Sequence, residues 1–122
     1  MLDDKVALVI DDEPLIRMML AEFLEDIGLT VYEAENGSEG IEIYRDKNPN
    51  IVIVDLRMPI LDGFGFLTES EVVDNPDCHV IVLTGHGGMD DKSRAEALGA
   101  DVFMKKPFES DELVDIVEKL LS

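Results

Sequence analysis

Three carboxylates stand side by side in the stretch VIDDEP, where Asp11, Asp12 and Glu13 end an apolar run and Pro14 opens an amphipathic one. Neighbouring anions repel, so such a cluster calls for a cation or for a helix N-terminus, whose positive end favours Asp and Glu. For DDE alone, anionic capping is the plainer reading. Other apolar runs, however, end in groups of equal chemical interest: IVIV at Asp55, VIVL at Thr84, and VFM at Lys105-Lys106-Pro107. Should the first and third runs be neighbours, three aspartates converge on one crevice. Carboxylate oxygens a few ångströms apart are what Mg2+ requires, and that ion keeps several waters and recruits phosphates.

Whether these residues meet depends on the elements that carry them. Val6–Ile10, Ile51–Val54, Val80–Leu83 and Val102–Met104 are short apolar runs, the first and third of them unbroken and rich in valine and isoleucine, as in parallel strands covered on both faces. Thr30–Ala34 is more mixed and reads as an edge strand. Helical patterns alternate with the runs. Ile16, Leu20, Phe23 and Ile27 form an apolar stripe on residues 14–27, with Pro14 at the first helical position and Gly28 as the stop. Asn36, three residues before Glu39, reads as an N-cap for a helix carrying Ile41 and Tyr44. Ser110 is expected to cap a last helix that buries Leu113, Ile116, Val117, Leu120 and Leu121. Residues 63–73 and 88–98 are weaker helices, the latter anchored only by Ala95, Ala97 and Leu98 and so expected to be loosely held. Gly40, inside a helix, costs up to ~1 kcal/mol relative to alanine. Five βα repeats give an α/β, doubly wound (βα)5 sandwich. In such folds ligands bind beyond the carboxyl ends of the strands, where the carboxylates, Thr84 and Lys106 all fall.

The whole chain narrows the function classes. Its 122 residues suit a single domain, 1–122, with a real core. Ten basic against 28 acidic residues give a net charge of −18, which repels nucleic-acid phosphate and anionic membranes and favours basic partners or divalent cations. Cys78 is the lone cysteine, so no internal disulfide forms, and a small buried or half-exposed thiol is expected. With no apolar run approaching a membrane span and no signal-peptide pattern, a soluble, cytoplasmic protein is expected.

The motifs VIDDEP (9–14), VDLRMPILDG (54–63), VLTGHG (82–87), ALGA (97–100) and KKPF (105–108), in that order, resemble the receiver domain of two-component response regulators, over about residues 5–121. The resemblance implies a flavodoxin-like, three-layer fold with a five-stranded parallel sheet of order 2-1-3-4-5, which periodicity alone does not choose. It implies that Asp55 accepts a phosphoryl group from a sensor histidine kinase or phosphotransfer protein, in a Mg2+-dependent reaction. Asp12 and Asp55 are then side-chain ligands of Mg2+, Asp11 acts largely through water, and the Arg57 backbone carbonyl completes the set. Lys106 is expected to reach the phosphoryl oxygens, Lys105 to point outward, and the Lys106–Pro107 bond to be cis. Thr84 and Phe103 match the switch positions, which alter the surface of the fourth helix, fifth strand and fifth helix. The implied role is a signalling switch rather than an enzyme, limited to self-phosphotransfer and autodephosphorylation. It acts on a downstream protein or a linked output domain without itself binding nucleic acid or membrane, and leaves room for a phosphorylation-dependent homodimer. Arg57 and His86 flank the site at places that vary among receivers and influence phosphate lifetime.

Rival readings fare worse. A phosphoaspartyl hydrolase of the haloacid dehalogenase kind wants a second aspartate two residues after the nucleophile, where Arg57 stands. A flavodoxin cradles phosphate in its first loop, but DDEP repels it. Neither acidic cluster has the alternating pattern and glycine of an EF-hand. The polar stretch ESEVVDNPDCH (69–79) is expected to fray or to make a specific contact.

Overall fold

Each short apolar run forms a strand, and each is followed by a helix. The computed structural model describes residues 2–85 and 88–122; the expectation for His86 lies outside the described residues. The order is β1 (Val6–Ile10), α1 (Pro14–Asp26), β2 (Thr30–Ala34), α2 (Gly37–Lys47), β3 (Ile51–Val54), α3 (Gly63–Ser70), β4 (His79–Thr84), α4 (Met89–Ala97), β5 (Val102–Lys105) and α5 (Ser110–Leu121). The strands pair in parallel as β2-β1-β3-β4-β5. In register, Ile10 faces Val54, Val54 faces Val82, and Thr84 faces Lys105. The residues that follow β1 and β3 therefore leave the sheet side by side.

Strand alternation explains the unbroken apolar runs. Leu8, Ile10, Val52, Val54, Val80 and Val82 serve one face, packed with Tyr44, Phe64, Phe66 and Leu67 from α2 and α3. Ala7, Val9, Ile51, Ile53, Ile81 and Leu83 serve the other, against Leu20 and Leu24 of α1 and Leu113 and Val117 of α5. β2, at the edge, buries fully only Ala34.

The helices follow the sequence reading with instructive exceptions. Asn36 caps α2 by accepting from the Glu39 amide at 2.9 Å. Ser110 is not the cap of α5 but its first residue; Glu109 holds the cap position without a side-chain hydrogen bond, and Asp111 and Glu112 meet the positive helix end instead. On α4 Ala95 is buried and Leu98 packs on the core, whereas Ala97 is exposed, so the helix has one anchor fewer than expected. The 69–79 stretch makes specific contacts: Glu71 turns left-handed (φ 59°), Val72–Asp74 form a 3-10 turn, and Asn75 Nδ2 donates to the Tyr44 hydroxyl at 2.8 Å. Gly40 earns its place by packing, since a Cβ there would meet Ile10 Cδ1 at 2.6 Å. Among the described residues no helix is long and apolar enough to cross a membrane.

Candidate functional site

The carboxyl ends of β1 and β3 deliver Asp11 and Asp55 into one crevice at 2% and 4% exposure. Asp12 and Glu13 stand at its exposed rim, and one oxygen from each of the four carboxylates lies within 4.8 Å of the others. Two glycines let the β3–α3 loop fold this closely. A Cβ on Gly63 would strike the Asp55 carbonyl oxygen, and one on Gly37 would meet the Leu61 carbonyl oxygen at 2.6 Å. Asp62 then caps α3 by accepting from the Gly65 amide at 2.8 Å.

Just past the end of β5, Lys106 brings the compensating charge. Its Nζ lies 2.8 Å from Asp11 Oδ2, 3.0 Å from Glu13 Oε1 and 3.4 Å from Asp55 Oδ2. Its own amide donates to the Thr84 carbonyl at 2.9 Å, so the ends of β4 and β5 fix its root. The Lys106–Pro107 bond is cis, and Lys105 is exposed. Burial alone would pull the Lys106 pKa down, but the hydrogen bonds to Asp11 and Glu13 and the charges of Asp11 and Asp55 outweigh it, so the ammonium is held charged. Asp11 responds differently: burial pushes its carboxyl above the usual range, against the lowering effect of Lys106 and of the Glu13 amide, which donates to Asp11 Oδ1 at 3.0 Å.

Around this centre, Thr84 is fully buried at the end of β4. Phe103 is half-buried and lines a cavity of about 280 Å3 with Gly88, Met89, Lys92 and Lys105. The Arg57 amide faces Asp55 Oδ1 at 3.5 Å, while its guanidinium pairs with Asp91 of α4 at 2.5 Å. Four clustered carboxylates, three of them paired with one ammonium, leave an excess of negative charge and an all-oxygen donor set, which fits a hard divalent cation.

All the acidic residues and the lysine expected at the site are thus brought together, with Thr84 behind them and Phe103 apart, beside α4. Three partners escaped the sequence reading. Glu13 belongs by sequence to the acidic run, and nothing in the sequence marks it as a partner of Lys106, 93 positions away. Asp91 gave no signal. Arg17 is a lone cation within the apolar stretch LIRMML, which is the signal the sequence carries for it: it donates to the Asp11 carbonyl at 2.6 Å and pairs with Glu33 at 3.2 Å.

Comparison with known proteins gives the family of the chain. The family model described as response regulator receiver domain matches residues 7–118. Sporulation initiation phosphotransferase F of Bacillus subtilis is 33% identical over 121 residues, covering 99% of this chain and 96% of the relative. Chemotaxis protein CheY of Halobacterium salinarum is 34% identical over 118 residues, covering 97% of this chain and 98% of the relative. Among solved structures, a CheY-like response regulator receiver domain protein from Methanospirillum hungatei JF-1 matches with a TM-score of 0.89 at 24% identity, covering 96% of this chain and 93% of that one, a likeness of fold.

Proposed function

The chain belongs to the family of response regulator receiver domains, and from that membership we propose that Asp55 is its phosphoacceptor, with the whole of residues 1–122 forming one such domain. Receivers of this family are signalling switches of two-component systems. In the proposed reaction a carboxylate oxygen of Asp55 attacks the phosphorus of a phosphohistidine on a sensor kinase or phosphotransfer protein. The new O–P bond forms as the P–N bond breaks, and the freed imidazole takes up a proton. Lys106 follows the incoming charge. Its ammonium is within reach of both Asp11 and Asp55 before any phosphate arrives, and as a mobile point charge it can turn to a phosphoryl oxygen. Asp12 and Asp55 would hold Mg2+ through their side chains, with Asp11 acting through water and the Arg57 carbonyl completing the set. The ion, when bound, supplies electrostatic stabilisation of the phosphoryl oxygens.

The observation that carries this reading is the ammonium of Lys106 spanning Asp11 and Asp55 within a cluster of four carboxylates. Thr84, buried at the adjacent strand end, and Phe103, in the open pocket between α4 and β5, are proposed to transmit phosphorylation to the α4–β5–α5 surface. That surface would control a downstream protein or a linked output domain, or form a phosphorylation-dependent homodimer, and the phosphoryl group would leave by autodephosphorylation. The partners named and the single cysteine support a cytoplasmic setting.

Acetyl phosphate with Mg2+ is expected to add one phosphate to the intact mass of the protein, and none to Asp55→Asn. Equal labelling of that variant would remove Asp55 from its role.

A further inference from the structure

We propose that Arg17 is a positioning residue for the acidic site: its guanidinium fixes the peptide between Asp11 and Asp12 and so sets where the Asp12 carboxylate stands. The inference rests on the reading of that site as a Mg2+ and phosphoryl site. Asp12 is exposed, and among the described residues no group holds its carboxylate. Its place is therefore set through its backbone. The backbone there is held from both sides of Asp11. The Asp11 amide donates to the Ala34 carbonyl of β2 at 3.1 Å. The Asp11 carbonyl, half of the peptide that leads into Asp12, accepts from Arg17 Nη1 at 2.6 Å.

Arg17 is itself fixed. Its side chain is only 13% exposed, its Nε donates to Glu33 Oε1 at 3.2 Å, and its Nη2 lies 3.8 Å from Glu35 Oε1. A staple between α1 and β2 would need only the two glutamates, yet the shortest contact goes to the carbonyl. The planar, five-donor fork can serve all three acceptors at once, whereas an ammonium is a single point.

Positioning and simple charge predict opposite signs for Mg2+ binding. Removing a cation beside the site relieves repulsion of a divalent ion, so charge alone makes binding tighter. Loss of positioning makes it weaker, by about tenfold when a residue that orients a metal ligand is removed. Calorimetric titration of the full chain with Mg2+ at fixed ionic strength distinguishes the two. Arg17→Met, which keeps the buried stem, is expected to bind about tenfold more weakly, and the Asp12 amide resonance of the metal-free protein to shift. Unchanged or tighter binding by folded Arg17→Met overturns the proposal. Should that variant not fold, Arg17→Lys decides: it keeps the charge and loses the fork, so weaker binding supports positioning and wild-type affinity refutes it. Wild-type protein that acetyl phosphate fails to label at Asp55 sinks the parent reading and this one together. Labelled wild type with unaffected Arg17 variants sinks this one alone.

Discussion

Lys106 and Asp11 form an ion pair whose two members feel burial in different proportion. For Lys106, the hydrogen bonds to Asp11 and Glu13 and the two aspartate charges overcome desolvation, so its folded-state pKa is raised. A raised amine pKa contributes stability that is complete below the unfolded value of 10.5 and is lost as pH climbs beyond it. For Asp11, desolvation wins and its pKa is raised from 3.8. A carboxyl so raised destabilises the folded state at neutral pH and does so less as pH falls through its folded value. The ammonium is thus held charged, while burial leaves the Asp11 carboxylate incompletely compensated. Asp12, exposed and without a partner among the described residues, is the carboxylate that can be neutralised with least disturbance to the fold. Asp12→Asn is expected to leave metal-free stability within ~0.5 kcal/mol of wild type or above it, while weakening Mg2+ binding by calorimetry. A loss beyond ~1 kcal/mol would instead mark Asp12 as a helix cap. At this scale the sequence disclosed Asp11, Asp12, Asp55 and Lys106, because each sits at the end of an apolar run. It concealed the bonds of Lys106 to Glu13 and of Arg17 to the Asp11 carbonyl, which depend on the reach of side chains between elements.

Among the elements, α4 is held by polar contacts more than by apolar ones. Ala95 is its buried residue, Arg94 stacks over the Phe64 ring of α3 at 4.0 Å, and Asp91 pairs with Arg57 from the loop after β3. The last contact links the loop carrying Asp55 to the helix on the proposed output surface. With Arg57 half-exposed, the pair contributes roughly 0.2–1 kcal/mol. Asp91→Asn is accordingly expected to speed amide hydrogen exchange within α4 by about 1.4-fold to fivefold, leaving β1 and β3 unchanged. Exchange in α4 as slow as in wild type would remove the latch. A weak α4 was legible from its sparse apolar residues; that Ala97 faces solvent was not, since two alanines give periodicity little to work with. For Gly40 the sequence speaks only to helix propensity, because the approach of Ile10 to α2 follows from packing between elements. Residue type alone favours Ser110 as the cap of α5, yet Glu109 takes that place.

For the whole molecule, the (βα)5 alternation was legible because buried parallel strands and amphipathic helices differ in period. Strand order was not, since all four central and edge pairings are compatible with the same runs; it came through resemblance, and the sheet has the order 2-1-3-4-5. Net charge was legible outright, and at −18 it has a consequence for the entire fold. Self-repulsion on this scale destabilises the compact state and is screened by salt. The Debye length falls from ~30 Å at 0.01 M to ~8 Å at 0.15 M, so NaCl over that range is expected to raise Tm by several degrees. Mg2+ should then do more than screen. At ten times its Kd, a site-bound ion adds about 1.4 kcal/mol through preferential binding to the folded state. Thermal melts in MgCl2 and NaCl at matched ionic strength separate the two effects. Wild type is expected to gain extra degrees in Mg2+, whereas Asp12→Asn keeps the response to NaCl and loses most of the Mg2+ increment. Identical curves for wild type in the two salts would mean that the carboxylates act only as diffuse charge, and that the cluster at the ends of β1 and β3 holds no ion of its own.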